Sequence, residues 1–169
     1  MQVLPPAQLF DRIHQRHGHY CPMSTLGGRM GFAARRRLGE VPLRAVYLLR
    51  TCAVDGIAVA TGCSEADGSL HVRDEGRHAL LVGHRGGVRG LEVVLRRATL
   101  DLAWEYRHLD EALERDRPTL DAAVLQRRHS AKALFLDQLL QRLRTLPEED
   151  LLDVREAEAD IAWSKETHA

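Results

Sequence analysis

The strongest constraint on the fold is a change of hydrophobic pattern near residue 97. Before it, apolar residues come in short runs broken by Gly, Pro and Asp; after it, they recur at helical spacing over long stretches. In the first part, residues 44–50 read as a strand, with Val46, Tyr47, Leu48 and Leu49 forming a buried run. Residues 69–73 read as an edge strand, and residues 79–82 and 88–95 as a hairpin across Arg85-Gly86-Gly87. Three helices interleave with them. Residues 5–16 carry Leu9, Phe10 and Ile13 at helical spacing, and residues 22–38 run from Pro22 to a stop at Gly39. Residues 54–60 make a short helix ending at Gly62. Small residues in the second helix, Gly27, Gly28, Ala33 and Ala34, suggest close approach to another backbone. The order helix, helix, strand, helix, strand, strand, strand predicts an α+β fold, with helices packed on an antiparallel or mixed sheet.

In the second part, residues 98–116 and 120–146 are helical patterns separated by Pro118, and a third, 148–165, follows Pro147. Leu134, Leu136, Leu139, Leu140 and Leu143 give the middle one an apolar stripe. The expected organisation is an α+β core over residues 1–97 and a helical extension over 98–169, packing on the core or on a dimer partner.

Composition removes several function classes. With 44% hydrophobic and 28% charged residues the 169-residue chain is globular rather than disordered. Its 24 basic and 24 acidic residues cancel, so no net field draws nucleic acid or an anionic membrane. Lys132 and Lys165 are the only lysines, a bias read as genomic composition. No run of apolar residues is long enough to span a membrane, and the first ten residues do not read as a signal peptide, so cytoplasm is the expected compartment. Three cysteines, an odd count in such a chain, suit metal binding or thiol reactivity better than a disulfide framework. No phosphate loop, dinucleotide fingerprint or serine-hydrolase elbow occurs.

The chemistry concentrates in the turn His17-Gly18-His19-Tyr20-Cys21-Pro22. Imidazole and thiolate are preferred zinc ligands and also suit nickel, copper or iron. One residue separates His19 from Cys21 in an irregular turn, which lets both face one centre. Cys21 directly precedes the Pro22 helix start, a position that suits a thiolate ligand and equally a nucleophilic cysteine with a histidine base. Cys52 follows the strand over 44–50, and Cys63 follows the short helix, so their convergence is not fixed by spacing. Asp55, one turn past Cys52, is a candidate ligand, hydrogen-bond acceptor or helix-dipole partner. His17 is a candidate ligand or a group that fixes a neighbour's tautomer. His71, His78 and His84 are weaker candidates that lie in or beside strands. Thr61, Ser64 and Arg77 are candidates to orient a polar ligand.

The turn, with Leu26-Gly27 and Arg29-Met30 after it, resembles the opening motif of the FmdE family, named for a component of formylmethanofuran dehydrogenase. The likeness continues through Cys52-Ala53-Val54-Asp55-Gly56-Ile57, Thr61-Gly62-Cys63-Ser64, Gly68-Ser69-Leu70 and Gly76-Arg77-His78-Ala79. These segments fall in the family's order and cover roughly residues 5–97. The resemblance implies an α+β core that forms homodimers, with a metal or active site lined by the turn and the later cysteines. Carried over residue by residue, His19, Cys21, Cys52 and Cys63 are the metal ligands, and Cys21, His17 and Asp55 the candidate catalytic groups. Zinc is the first expectation for the ion, with nickel or iron behind it. Met23 departs from a usual glycine, and Glu65-Ala66-Asp67-Gly68 replaces a usual glycine- and lysine-containing loop. No cysteine follows Cys63, so the zinc-finger tail of some members is not expected. Oxidation of formylmethanofuran would need other enzyme components. The alternatives are a carrier or chaperone for a metal or metal cofactor, and a redox or nucleophilic enzyme using Cys21.

Overall fold

Pro22 opens α2 (Pro22–Leu38) where a missing N–H costs nothing, and Gly39, at φ 82°, ends it. In the computed structural model, which describes residues 3–158, this helix is the centre of the molecule. Ahead of it, α1 (Ala7–His17) ends at Gly18, whose left-handed φ of 88° turns the chain into the His-Gly-His segment. β1 (Leu43–Tyr47), α3 (Ala53–Thr61), β2 (Leu70–Val72), β3 (Ala79–His84) and β4 (Arg89–Leu95) follow. Then come α4 (Arg97–Asp116), a turn of 3-10 helix, α5 (Ala122–Thr145), α6 (Glu148–Leu151) and β5 (Leu152–Glu158).

The fold is α+β, with one five-stranded mixed sheet in the order β2-β1-β3-β4-β5. β2 runs parallel to β1 at one edge, and the other pairings are antiparallel. Period-two alternation sorts the strands by face. Leu43, Ala45, Tyr47, Leu80, Val82, Val93, Leu95 and Leu152 join α2, α3 and α5 side chains in the main core. Val46, Leu48 and Ala79 form a smaller cluster with Leu81 and Val94. Beside that cluster, Glu92 on β4 faces Arg155 on β5 and takes a hydrogen bond from Arg77 at 2.6 Å.

The structure overturns the helix expected over residues 148–165. Only Glu148–Leu151 is helical, and Leu152–Glu158 instead pairs with β4, placing Val154 opposite Val93. Alternation of Leu152, Val154 and Glu156 with Asp153 and Arg155 fits a sheet edge, and an available β4 edge outweighs helix propensity. Residues 159–165 of that expectation lie outside the described residues. The tail therefore contributes a strand to the sheet as well as helices.

The rest of the tail locks onto α2. The Arg29 guanidinium, buried in α2, donates to the carbonyls of Leu143, Arg144 and Leu146 at 2.8, 2.9 and 2.7 Å. It thus satisfies carbonyls that the end of α5 leaves without helical partners. No helix among the described residues is long and apolar enough to cross a membrane.

Candidate metal centre

Two glycines decide where the site can form. A Cβ at Gly27 on α2 would collide with the Ala53 carbonyl, and one at Gly56 on α3 with the Ser24 carbonyl and Gly28 amide. Only glycine lets the N-terminal halves of α2 and α3 meet backbone to backbone. Cys21, capping α2, and Cys52, capping α3, are thereby brought together. α1 packs against both helices and delivers His17 to the same place.

The ligand atoms of His17, His19 and Cys21 lie within 4.8 Å of one another. Ligands of a tetrahedral zinc stand ~3.5 Å apart, from metal–ligand bonds of ~2.0–2.3 Å, so slight closure would fit this group to an ion. His17 Nδ1 is 2.8 Å from Asp55 Oδ2, and Arg16 Nε donates to Asp55 Oδ1 at 2.9 Å. Burial works to raise the Asp55 carboxyl, but hydrogen bonds and charge from His17 and Arg16 hold it below the ordinary aspartate value. An ionised Asp55 accepts from His17 Nδ1, and in the neutral imidazole that tautomer leaves the Nε2 lone pair free. That Nε2 is buried and has no hydrogen-bond partner among the described residues. A buried nitrogen with nothing to bond is costly unless something occupies the space before it. A carboxylate–histidine pair with its far nitrogen unpartnered is the usual support of a metal ligand. The residues fit the group.

His19 is exposed at the mouth, its ring 4.2 Å from that of His17 between centroids. Cys52 is exposed as a residue, yet its thiol is pushed up to about 11, by burial first and then by the charge and hydrogen bond of Cys21. It borders the cluster through Cys21 without joining the three convergent atoms.

Cys63 is elsewhere. It follows the far end of α3, and nine helical residues put it ~13 Å from the Cys52 end. It is 3% exposed and part of the main core. Burial raises its thiol, opposed by hydrogen bonds with Thr61 and Ser69. Cys63, expected as a ligand of the same centre, is not among the three convergent atoms and lies past the end of α3 opposite Cys52. His71, His78 and His84 also stand outside the cluster. His78 pairs with the Tyr47 hydroxyl at 3.3 Å, and His84 Nε2 with the Leu38 carbonyl at 2.9 Å. Thr61 bonds the Ile57 carbonyl and Arg77 bonds Glu92, so both are engaged away from the turn. Ser64 is likewise engaged, accepting the Ala66 amide at 3.0 Å.

Sequence reasoning missed two neighbours. Arg16 was visible as the residue before His17, but nothing local showed that Asp55 would meet it. Tyr106 on α4 lies within electrostatic reach of Cys21. Burial raises its phenol, Lys132 opposes, and Asp110 and Cys21 add to the rise. No spacing in the sequence links residue 106 to residue 21.

With this geometry in place, comparison with known proteins is decisive at the level of family. The family model described as "FmdE, Molybdenum formylmethanofuran dehydrogenase operon" matches residues 16–153, most of the chain. The chain belongs to the FmdE family. The match runs past residue 97 and takes in α4, α5 and the start of β5. A solved protein from Syntrophus aciditrophicus, described as tungsten formylmethanofuran dehydrogenase FmdE-like, superposes with a TM-score of 0.61. It is 22% identical, over 89% of this chain and 71% of that one, and shows that the FmdE fold is shared. A protein from Archaeoglobus fulgidus named "Probable S-adenosyl-L-methionine-binding protein" is 34% identical over 95 residues. Those residues are 51% of this chain and only 26% of that relative's length.

Proposed function

We propose that this FmdE-family chain binds a transition metal ion through His17 Nε2, a His19 ring nitrogen and Cys21 Sγ. It would act as a metal-dependent enzyme or as an accessory component of a larger one. The observation that carries the reading is His17: half-buried, held by Asp55 through Nδ1, with a buried Nε2 that is unpartnered among the described residues. Zinc is the first choice for an N/N/S donor set, with nickel or iron behind it. Such an ion, when bound by three protein ligands, polarises a water or substrate oxygen at its remaining position.

The chain's own residues set the rest. Asp55 fixes the His17 tautomer, Arg16 holds Asp55, and exposed His19 stands where a ligand enters. Tyr106 brings a phenol from the tail to the Cys21 side. The exposure of His19 also favours a second reading, a carrier that gives up its metal or metal cofactor, because an exposed ligand exchanges readily. Formylmethanofuran chemistry would require partner proteins for the redox steps.

A cytoplasmic homodimer belongs to the same proposal. Trp104 and Leu109 on α4 and Leu134 on α5 are large apolar residues left exposed, surface that a second copy would cover. Light scattering should give twice the chain mass, and a monomer would remove this part.

The test of the site is metal analysis of protein purified without added metal. Wild type should carry one ion per chain, and His17→Ala should lose it. Undiminished metal in His17→Ala would overturn the assignment. Slow exchange against a chelator supports the enzyme or accessory component, and exchange within mixing time supports the carrier.

A further inference from the structure

One face of α1 carries three rings in a row. Phe10, His14 and His17 follow one another at helical spacing, so each lies above the next along the helix. Each is covered by a different neighbour. His19 meets His17 with ring centroids 4.2 Å apart, and Tyr20 stacks on His14 at 3.8 Å with the planes 6° from parallel. The Arg144 guanidinium, from the last turn of α5, lies over Phe10 at 5.1 Å and over Tyr20 at 5.8 Å from the ring centroids. The ladder therefore starts at two ligands of the candidate metal cluster and ends at a guanidinium. From His17 to Phe10 it spans ~10 Å, at a rise of ~1.5 Å per residue.

Arg144 is held in place without using its donors. Arg29 fixes its backbone by donating to its carbonyl at 2.9 Å, and the two rings hold the guanidinium. No described carboxylate pairs with it, and its Nε is buried without a hydrogen-bond partner among the described residues. Neighbouring arginines are committed, Arg16 to Asp55 and Arg29 to the carbonyls at the end of α5. His14 Nδ1 and His17 Nε2 are also buried and unpartnered among the described residues. Folded chains pair nearly all such atoms, so three along one ladder mark a surface built to receive a polar guest. Tyr20, 48% exposed, leaves that ladder open to solvent.

We propose that Arg144 anchors a carboxylate-binding subsite, placed to hold one end of a linear organic acid whose other end reaches the His17–His19–Cys21 cluster. The anchor itself needs no metal; the reach to an ion rests on the metal-binding reading of that cluster. A guanidinium stacked on rings still offers its edge, where two parallel N–H donors match the two oxygens of a carboxylate. With Nε buried, that edge is the Nη1–Nη2 pair. One free guanidinium suits a carboxylate, charge for charge, better than a phosphate dianion. The ~10 Å ladder calls for an extended chain rather than a compact acid.

The experiment titrates the full chain, metal-free and zinc-loaded, with the linear dicarboxylate adipate. Binding is followed by the NMR signals of the arginine side-chain Nε–H groups, the Arg144 signal being the one that Arg144→Gln removes. In wild type that signal should move with adipate in both forms and stay still with the neutral diamide of adipate. Zinc should tighten adipate about tenfold or more, because the second carboxylate then binds within the same molecule. Arg144→Gln should keep its zinc and its thermal midpoint while weakening adipate by ~10–100-fold, the loss of a charge-assisted pair of hydrogen bonds. Arg144→Lys, which keeps the charge without the fork, should fall between. An Arg144 signal that adipate does not move, or an Arg144→Gln chain that binds adipate as wild type does, overturns the subsite. Inorganic phosphate that moves the signal at lower concentration than adipate overturns its assignment to carboxylates. Equal adipate affinity with and without bound zinc overturns the reach to the ion. A chain that binds no zinc overturns the metal-binding reading, and the metal-free titration still decides the subsite.

Discussion

The two ends of α3 carry the same residue type and serve different purposes. At its start, Cys52 caps the helix beside Cys21, and Asp55 reaches His17. At its finish, Gly62 turns left-handed at φ 74° and Cys63 drops into the core. Thr61 there bonds the Ile57 carbonyl and the Cys63 amide, and Arg35 of α2 reaches the Thr61 carbonyl. One end is open and rich in groups that bind; the other is closed, with its polar groups engaged. The difference comes from what α3 packs against. Its N-terminus meets the N-terminus of α2, where two caps and the preceding turn collect. Its C-terminus meets α2 from Gly31 to Arg35, where the polar groups pair with one another and the rest is core.

The largest effect should come from the open end. Cys21→Ser should abolish bound metal by elemental analysis, whereas Cys63→Ser should retain it in full. Equal loss in both variants would erase the distinction between the ends. Next comes the contact that creates the open end. Gly27→Ala should destabilise the protein by ~3 kcal/mol, the upper range for an overpacked core, since its Cβ meets backbone that cannot move aside. Denaturant titration measures this, and an unchanged midpoint would mean that α2 and α3 are not held as described.

Asp55→Asn should weaken metal binding by ~10–100-fold without unfolding the chain, as expected when a histidine ligand loses its carboxylate support. A competition titration with a chelator reads this, and unchanged affinity would show that His17 is held by something else. At the closed end, Cys63→Ser should cost ~1–3 kcal/mol of stability, from placing a hydroxyl where only part of its hydrogen bonding is met. A cost near zero would mean that this end is more open than its burial implies.

The smallest effect lies at the far end of α2. There Glu148 pairs with Arg37 and Arg36. Burial opposes ionisation of Glu148, but the two guanidinium groups hold its carboxyl below the ordinary glutamate value. Its stabilising contribution is therefore present above the unfolded glutamate value of ~4.3 and is lost as pH falls through the lower folded value. Because the arginines are partly exposed, the contribution should stay under ~1 kcal/mol. Comparing acid unfolding of Glu148→Gln with wild type tests this, and an unchanged slope below pH 5 would remove it.

Much of the fold was legible because it is written in local pattern. Pro22 and Gly39 bound α2, Gly62 ends α3, and Arg85-Gly86-Gly87 separates the β3–β4 hairpin, each through constraints carried by the residue itself. β5 was not legible in the same way. Residues 152–158 are charged and short, and they become a strand only because β4 offers a free edge.

The candidate site divides along the same line. His17, His19 and Cys21 are close in the chain, so the sequence by itself determined that a histidine–cysteine turn precedes a helix and can gather donors. Which distant residues join that turn was decided by tertiary structure. Spacing leaves open whether Cys52 and Cys63 converge on the turn, and only the sense, length and contact face of a packed helix could decide it. The Gly27 and Gly56 contacts bring α3 in by its N-terminus, which delivers Cys52 and Asp55 and carries Cys63 away. Local chemistry named the donors, and backbone packing at two glycines chose their companions.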